Sequence, residues 1–307
     1  MSLETDLLLD RRRLKRRLVV WRTLAVLALV GAALVVWRDD GGALAGARVA
    51  RLTVSGIITE NRALDQQVAD LADDKRVKAL IVEIDSPGGS VAGGEALHGA
   101  IARVAAKKPV VAVMDGIAAS AGYMIAMPAA RIFAQSGTIT GSIGVLLPTG
   151  EASGLLKMLG ISVDDIVSGP LKDQPSFTKP LTPDGRAVLQ ALVMDMYDQF
   201  VEMVAAGRHM DPAKVRELGD GRAYTGRQAL KLGLVDAIGG QQQARAWLAE
   251  THGVSAKLPV DDVTTGGLMA RMFAGSLSPL FVGAWKSVLS QGLMLDGAWA
   301  LWQRPGG

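Results

Sequence analysis

The sequence predicts an α/β protein whose βαβ units wind around a parallel sheet, preceded by one N-terminal transmembrane helix. Three observations carry this. Val77 to Asp85 (VKALIVEID) and Val110 to Met114 (VVAVM) are nearly continuous apolar runs, as strands buried on both faces show. Helical patterns alternate with them at a spacing that suits right-handed strand–helix–strand crossovers. Ahead of both, the basic cluster Arg11, Arg12, Arg13, Lys15, Arg16 and Arg17 precedes an apolar segment from Leu18 to Trp37, about the length a spanning helix needs.

Bulk properties narrow the function classes. A chain of 307 residues can bury one large core or two small ones. There is no cysteine, so disulfides, thiolate nucleophiles and Cys-ligated zinc are excluded. His98, His209 and His252 show no metal-ligand spacing, and no metal or cofactor is expected. Residues 1–38 hold 8 basic and 3 acidic side chains, whereas the rest hold 25 and 27, a net of −2. A near-neutral body argues against a nucleic-acid footprint.

The N-terminal region reads as a signal anchor: a basic cytoplasmic segment over 1–17, the span over 18–38 and a linker over 39–47. Arg22 lies near one end of the span, where its side chain can snorkel to the interface. Trp21 and Trp37 bracket it. The positive-inside rule keeps the arginines in the cytoplasm and sends the body across. A cleaved signal peptide competes, because Ala43-Leu44-Ala45 offers a small-x-small site. The long basic region and the length of the apolar run favour the anchor, and the body is exported either way.

Residues 48–252 form the predicted catalytic domain. Val49 to Ile58 reads as a strand and Asn61 to Ala72 as a polar-faced helix. The strand over Val77 to Asp85 ends in Ser86-Pro87-Gly88-Gly89-Ser90, and a helix follows to Ala106. The run from Val110 is broken by Asp115-Gly116. Arg131 to Ala134 is a short strand, and Gly137 to Val145 (GTITGSIGV) is a glycine-punctuated loop entering another. Glu151 to Leu159 reads as helix, Ile161 to Val167 as strand, and Ser168 to Leu181 as an irregular loop. Thr182 caps a long helix with Pro183 in its first turn, whose stripe from Leu189 to Val204 means core or subunit contact. Helices follow near Pro212 to Leu218, Gly226 to Leu232 and from Gly240 to His252. Residues 253–307 form an apolar extension in which Pro279 and scattered glycines keep any run too short to span a bilayer. It reads as a membrane-surface segment or oligomer contact, with a helix packed on the core nearly as good a reading.

The chemistry centres on Ser120, in VVAVMDGIAASAGYM. A strand, a tight turn and small residues entering a helix would set its hydroxyl at a helix N-terminus, where free amides can receive an oxyanion. Taken alone, a cap or a packing residue explains it as well. A serine needs a base, and no histidine lies in the loops facing it. A lysine serves only if burial brings its pKa from ~10.4 towards ~7–8. Lys172, in the loop SGPLKD, is the candidate, against the plain reading of a surface charge. Oxyanion donors are the amide of Ala121 and the Gly88-Gly89 turn, where absent side chains admit a carbonyl. A tight turn or a phosphate cradle would also explain SPGGS, but no GxGxxG or P-loop pattern supports nucleotide binding.

SPGGS, DGIAASAGY, GTITGSIGV and GPLKD, in that order, resemble the signal peptide peptidase A family over about residues 48–250. The resemblance implies the Clp protease/crotonase fold, a ββα superhelix of βαβ units. It implies Ser120 as nucleophile, Lys172 as general base, Ser142 as the group orienting the lysine, and Gly88, Gly89 and Ala121 as the oxyanion hole. Ala121 departs from the family's usual glycine and tightens that pocket. Leu171 replaces the more usual aromatic or basic residue before the lysine. Also implied are a bacterial cytoplasmic-membrane enzyme with an extracytoplasmic catalytic domain, remnant signal peptides or other unfolded apolar peptides as substrates, and a homo-oligomeric ring. Whether serine and lysine belong to one subunit or two stays open. An acyl-CoA enzyme of crotonase type and a non-catalytic membrane scaffold are the rival functions; export counts against the first, because CoA is cytoplasmic.

Overall fold

A computed structural model of the chain describes residues 21–27, 30 and 46–263, together with the backbone of 299–301. Residues 21–27 and 30 are helical and exposed and belong to a unit separate from the one beginning at Arg48. Among the described residues no helix is long and apolar enough to cross a membrane. The anchor expected over 18–38 and the linker after it lie for the most part outside them, as do residues 264–298 of the extension.

The second unit starts with β1 (Arg48–Ile58), α1 (Arg62–Asp70), β2 (Val77–Ser90), α2 (Val91–Ala105) and β3 (Val110–Ala119). The short α3 (Ala121–Met124), β4 (Arg131–Ala134), β5 (Ile139–Gly141) and α4 (Ser153–Met158) follow. The long α5 (Pro183–Arg208) leads to α6 (Pro212–Leu218), β6 (Ala223–Thr225) and α7 (Gly226–Leu232). The chain continues through β7 (Ala237–Ile238), α8 (Gln241–His252) and β8 (Val260–Asp262), and β9 (Trp299–Leu301) lies near its end. Polar caps start several helices: Ser90 Oγ accepts from the Gly93 amide at 3.1 Å and Thr182 Oγ1 from the Gly185 amide at 3.0 Å.

The sheet runs β6-β5-β3-β2-β1-β8 and forks at β3. Val111 to Met114 of β3 pair with β4, whereas Ile117 to Ala119 pair with β5, both in parallel. Only the β5–β6 and β2–β9 pairs are antiparallel among those described. The predicted double burial of the central strands holds and has a period of two. Leu80, Val82, Ile84, Val110, Ala112 and Met114 face one apolar cluster with Leu97, Ile101 and Val104 of α2. Ala79, Ile81, Val111 and Val113 face the other, with Ala244 and Leu248 of α8.

Five expectations change. β2 does not stop at Asp85 but runs through Pro87 to Ser90, because Ile57 and Ile58 of β1 pair with Gly88 and Gly89. β3 likewise continues past Asp115-Gly116, which form a bulge rather than an end. The helix expected over Glu151 to Leu159 is the shorter α4. Ile161 to Val167 is irregular and exposed, with Ile166 fully in solvent. A β-branched run needs a partner edge to become a strand, and no described strand offers one. The α5 stripe is buried only at its C-terminal end, at Phe200, Val201 and Val204, and Leu192 is half exposed.

Candidate active site

The site is built by the irregular end of β3. Ile84 of β2 pairs with Met114, but the next pair is Ser86 with Ala118, so Asp85 alone opposes Asp115, Gly116 and Ile117. Such a bulge re-aims the chain that follows. Three polar groups brace it. Asp85 Oδ1 accepts from the Ile117 amide at 3.1 Å, Thr138 Oγ1 donates to the Asp115 carbonyl at 2.6 Å, and Thr140 Oγ1 donates to the Ala118 carbonyl at 2.8 Å.

Ser120 follows with φ 56 and ψ −122, a left-handed conformation that L side chains rarely adopt. Its amide donates to the Gly141 carbonyl at 2.9 Å, and its carbonyl accepts from the Tyr123 and Met124 amides at 2.8 and 2.9 Å, which starts α3. The residue is fully buried, and Ser120 Oγ has no hydrogen-bond partner among the described residues. Backbone strain of this kind costs about 1–3 kcal/mol, and an unsatisfied buried hydroxyl about 1–3 kcal/mol more. Both fall on one residue, the one the sequence singles out.

The glycines around Ser120 are required by close approach. A Cβ on Gly89 would lie 1.8 Å from the Ile58 carbonyl oxygen, and one on Gly122 would lie 2.7 Å from that of Ser86. Gly94 of α2 lets Ala121 Cβ come within 3.1 Å of where its own Cβ would be. Gly88 has φ 113, and its amide donates to Ser86 Oγ at 3.1 Å, a bond that an oxyanion at that amide would displace. Ala121 is the first residue of α3, where amides lack intrahelical acceptors.

Ser142 stands beside Ser120 by register, because Ala119 pairs with Gly141. It is buried, has φ 48, and donates its amide to the Arg222 carbonyl at 3.0 Å. Ser120, Ser142, Gly88, Gly89 and Ala121 are thus brought together at the ends of β2, β3 and β5. Lys172 is not. It is exposed on the loop between α4 and α5, its amide turned onto the Gly169 carbonyl at 3.1 Å, and it makes no bond to Ser120 within the chain. Ion pairs from Lys179 to Asp165 and Asp173 tie that loop to itself.

Several supports lay beyond sequence reasoning. Tyr123 is buried in α3 and its hydroxyl donates to the Leu234 carbonyl at 2.7 Å; burial pushes its pKa up, so it stays a neutral donor. Behind it, Arg208 donates to the Gly233 carbonyl and to both Asp236 oxygens, at 2.9, 3.0 and 2.6 Å. Burial works to raise the Asp236 carboxyl, but the Arg208 bonds outweigh it and hold the group below its ordinary value. The only advance signal was the polar residues within the small-residue motifs. Among the described residues no cluster of His, Asp and Glu could hold a metal.

Peptidase family S49 matches residues 102–255, half of the chain. A Synechocystis sp. protein provisionally named a protease is 41% identical over 235 residues, covering 76% of this chain and 85% of its own. The chain belongs to peptidase family S49, the signal peptide peptidase A family. An Enterococcus faecium protein provisionally named signal peptide peptidase SppA is 36% identical, covering 64% of this chain and 61% of that one. Protease 4 of Salmonella typhi is 37% identical over 60% of this chain, which spans 30% of that protein's length. Clp protease matches residues 47–139, so the mixed α/β fold of this S49 peptidase is Clp-protease-like.

Proposed function

We propose that this S49 peptidase is a membrane-anchored serine endopeptidase that degrades remnant signal peptides, with Ser120 as nucleophile and Lys172 of a neighbouring copy as general base. One observation carries the serine's role: a strained, buried residue whose hydroxyl has no partner among the described residues. Strain and an orphaned hydroxyl persist where a site needs them. The missing partner is supplied from outside. Lys172 sits on a lobe where Met158, Ile166 and Phe177 are 86%, 102% and 66% exposed, apolar surface of the kind that marks protein contacts. A cleft of about 500 Å³ beside Ser142, lined by Val145, Val193, Met194 and Tyr197, offers a second copy's loop a place to enter.

The neutral Lys172 amine takes the Ser120 proton as Oγ attacks the scissile carbonyl, and the oxyanion is received by the Ala121 amide and the Gly88-Gly89 strand. The Lys172 ammonium gives its proton to the leaving amine. Water then attacks the acyl ester while Lys172 takes its proton, and Ser120 recovers its own as the product acid leaves. Ser142 holds the amine in place. The basic cluster and apolar segment over 1–38 support anchorage with the domain outside the cytoplasm, near the apolar peptides left by preprotein processing. Labelling by a fluorophosphonate probe tests the chemistry: wild type should react at Ser120, and Ser120→Ala and Lys172→Ala should neither react nor cleave an unfolded apolar peptide. Labelling of Lys172→Ala at the wild-type rate would remove the lysine from the mechanism.

A further inference from the structure

A second buried serine, Ser86, has no part in the mechanism above, yet it touches both halves of the site. On one side its hydroxyl oxygen accepts from the Gly88 amide at 3.1 Å and has the Gly88 carbonyl at 3.4 Å, so it closes a small turn over Pro87. On the other, Gly122 of α3 lies against it: a Cβ there would be 2.7 Å from the Ser86 carbonyl oxygen and 3.4 Å from Ser86 Cβ. The Ser86 side chain therefore points to the α3 side of the sheet, in phase with Leu80, Val82 and Ile84. An amide that donates to it is turned the same way, toward the helix whose first residue is Ala121. The β1–β2 ladder is irregular at this point. Ser55 pairs with Asp85 and Ile57 with Gly88, so Ser86 and Pro87 together oppose Gly56 alone. Gly88 has φ 113, and a glycine lets the peptide plane before it turn over at small cost. A buried amide needs an acceptor, and Ser86 Oγ supplies one before any substrate arrives.

We propose that Ser86 is a positioning residue for the oxyanion hole: its hydroxyl holds the Gly88 amide toward α3 in the resting chain and yields it to the substrate's carbonyl oxygen as Ser120 attacks. This rests on the reading of Ser120 as the nucleophile. The exchange is timed by charge. A neutral hydroxyl and a neutral carbonyl are comparable acceptors, whereas a hydrogen bond to an oxyanion is about twice as strong. The amide therefore changes partner when negative charge develops, and Ser86 acts on the transition state more than on the bound peptide. Without the hydroxyl, the Gly88 amide turns its peptide plane to find another acceptor, and the hole loses a donor.

The test uses the full-length protein and Ser86→Ala, which removes one oxygen from a packed position. Loss of a whole oxyanion-hole donor costs about 100- to 1,000-fold in kcat, so a donor left in place but unheld should cost about 10- to 100-fold. KM for an unfolded apolar peptide should stay within about twofold, the split expected when only the transition state loses a contact. An apolar peptide aldehyde separates this from general damage. Ser120 adds to its carbonyl carbon, the carbonyl electron pair moves onto the oxygen, and the serine proton passes to Lys172. Its inhibition constant should rise by the same factor as kcat falls, while the uncleaved peptide binds Ser120→Ala equally with or without Ser86→Ala. Amide hydrogen exchange at Gly88 should quicken in Ser86→Ala, a readout that needs no catalysis. A wild-type kcat, a lowered kcat with aldehyde inhibition unchanged, or Gly88 exchange as slow as in wild type would each overturn the proposal. A wild-type protein that neither the aldehyde inhibits nor a fluorophosphonate labels at Ser120 would instead fail the reading of Ser120, and the proposal with it.

Discussion

The Ser120 amide donates to the Gly141 carbonyl at 2.9 Å, and that bond holds a serine at φ 56 where β3 ends. It couples Ser120 to the sheet: β5 can hold Ser120 in this conformation only because the bulge at Asp115 to Ile117 has already re-aimed β3. The hydroxyl's lack of a partner follows from the same geometry. The chain around it is committed to backbone pairing, and the described side chains at hand leave Ser120 Oγ unbonded.

Removing that hydroxyl should make the protein more stable and inactive. Ser120→Ala takes away an unsatisfied buried group and should gain about 1 kcal/mol, a melting temperature higher by about 2–4 °C for a domain of this size. Thermal unfolding beside peptide hydrolysis checks it. A clear drop in melting temperature would give the hydroxyl a structural partner instead of a catalytic one.

Gly122→Ala places a Cβ 2.7 Å from the Ser86 carbonyl, against backbone that cannot yield as a flexible side chain could. α3 must shift and carry Ser120 with it. A displacement near 1 Å costs on the order of 100-fold in rate, so kcat/KM should fall at least that far in a protein that still folds by circular dichroism. Activity within a few-fold of wild type would show that α3 does not set the serine's position.

The Arg208–Asp236 pair supports α3 from behind and gives a pH signature. The folded Asp236 carboxyl is held below its ordinary value, against ~3.9 in the unfolded chain. Its stabilisation is therefore complete above about pH 4 and is lost as pH falls through the lower folded value. Asp236→Asn leaves a nearly buried guanidinium short of its partner, which should cost about 1–3 kcal/mol at neutral pH. The variant's deficit should shrink as pH drops below 4. Urea unfolding at pH 7 and pH 3 would show it, and a deficit equal at both would refute the assignment.

Much of this was legible in the sequence, for physical reasons. Val77 to Asp85 and Val110 to Met114 announce a parallel sheet because a strand buried on both faces admits almost nothing polar. Ser120 stood out because small residues crowd it, and the structure gives the reason in the contacts of Gly89, Gly94 and Gly122. The bulge was not legible, since Asp115-Gly116 is equally a turn signal, and only its pairing with Asp85 distinguishes the two. Ile161 to Val167 failed because β-propensity records fit to a neighbour that this segment lacks. Tyr123 and Arg208 act on α3 through carbonyls and a carboxylate distant in sequence, which no local pattern encodes.

In the proposed mechanism Ser120 of one copy is activated by Lys172 of another. Ser120→Ala and Lys172→Ala chains, each inactive alone, should therefore be co-expressed, purified as mixed assemblies and assayed on an unfolded apolar peptide. Recovery of a substantial fraction of wild-type hydrolysis is the expected result, since some neighbours then pair an intact serine with an intact lysine. Mixed assemblies as inactive as either parent would rule out activation of Ser120 by a neighbouring copy's Lys172.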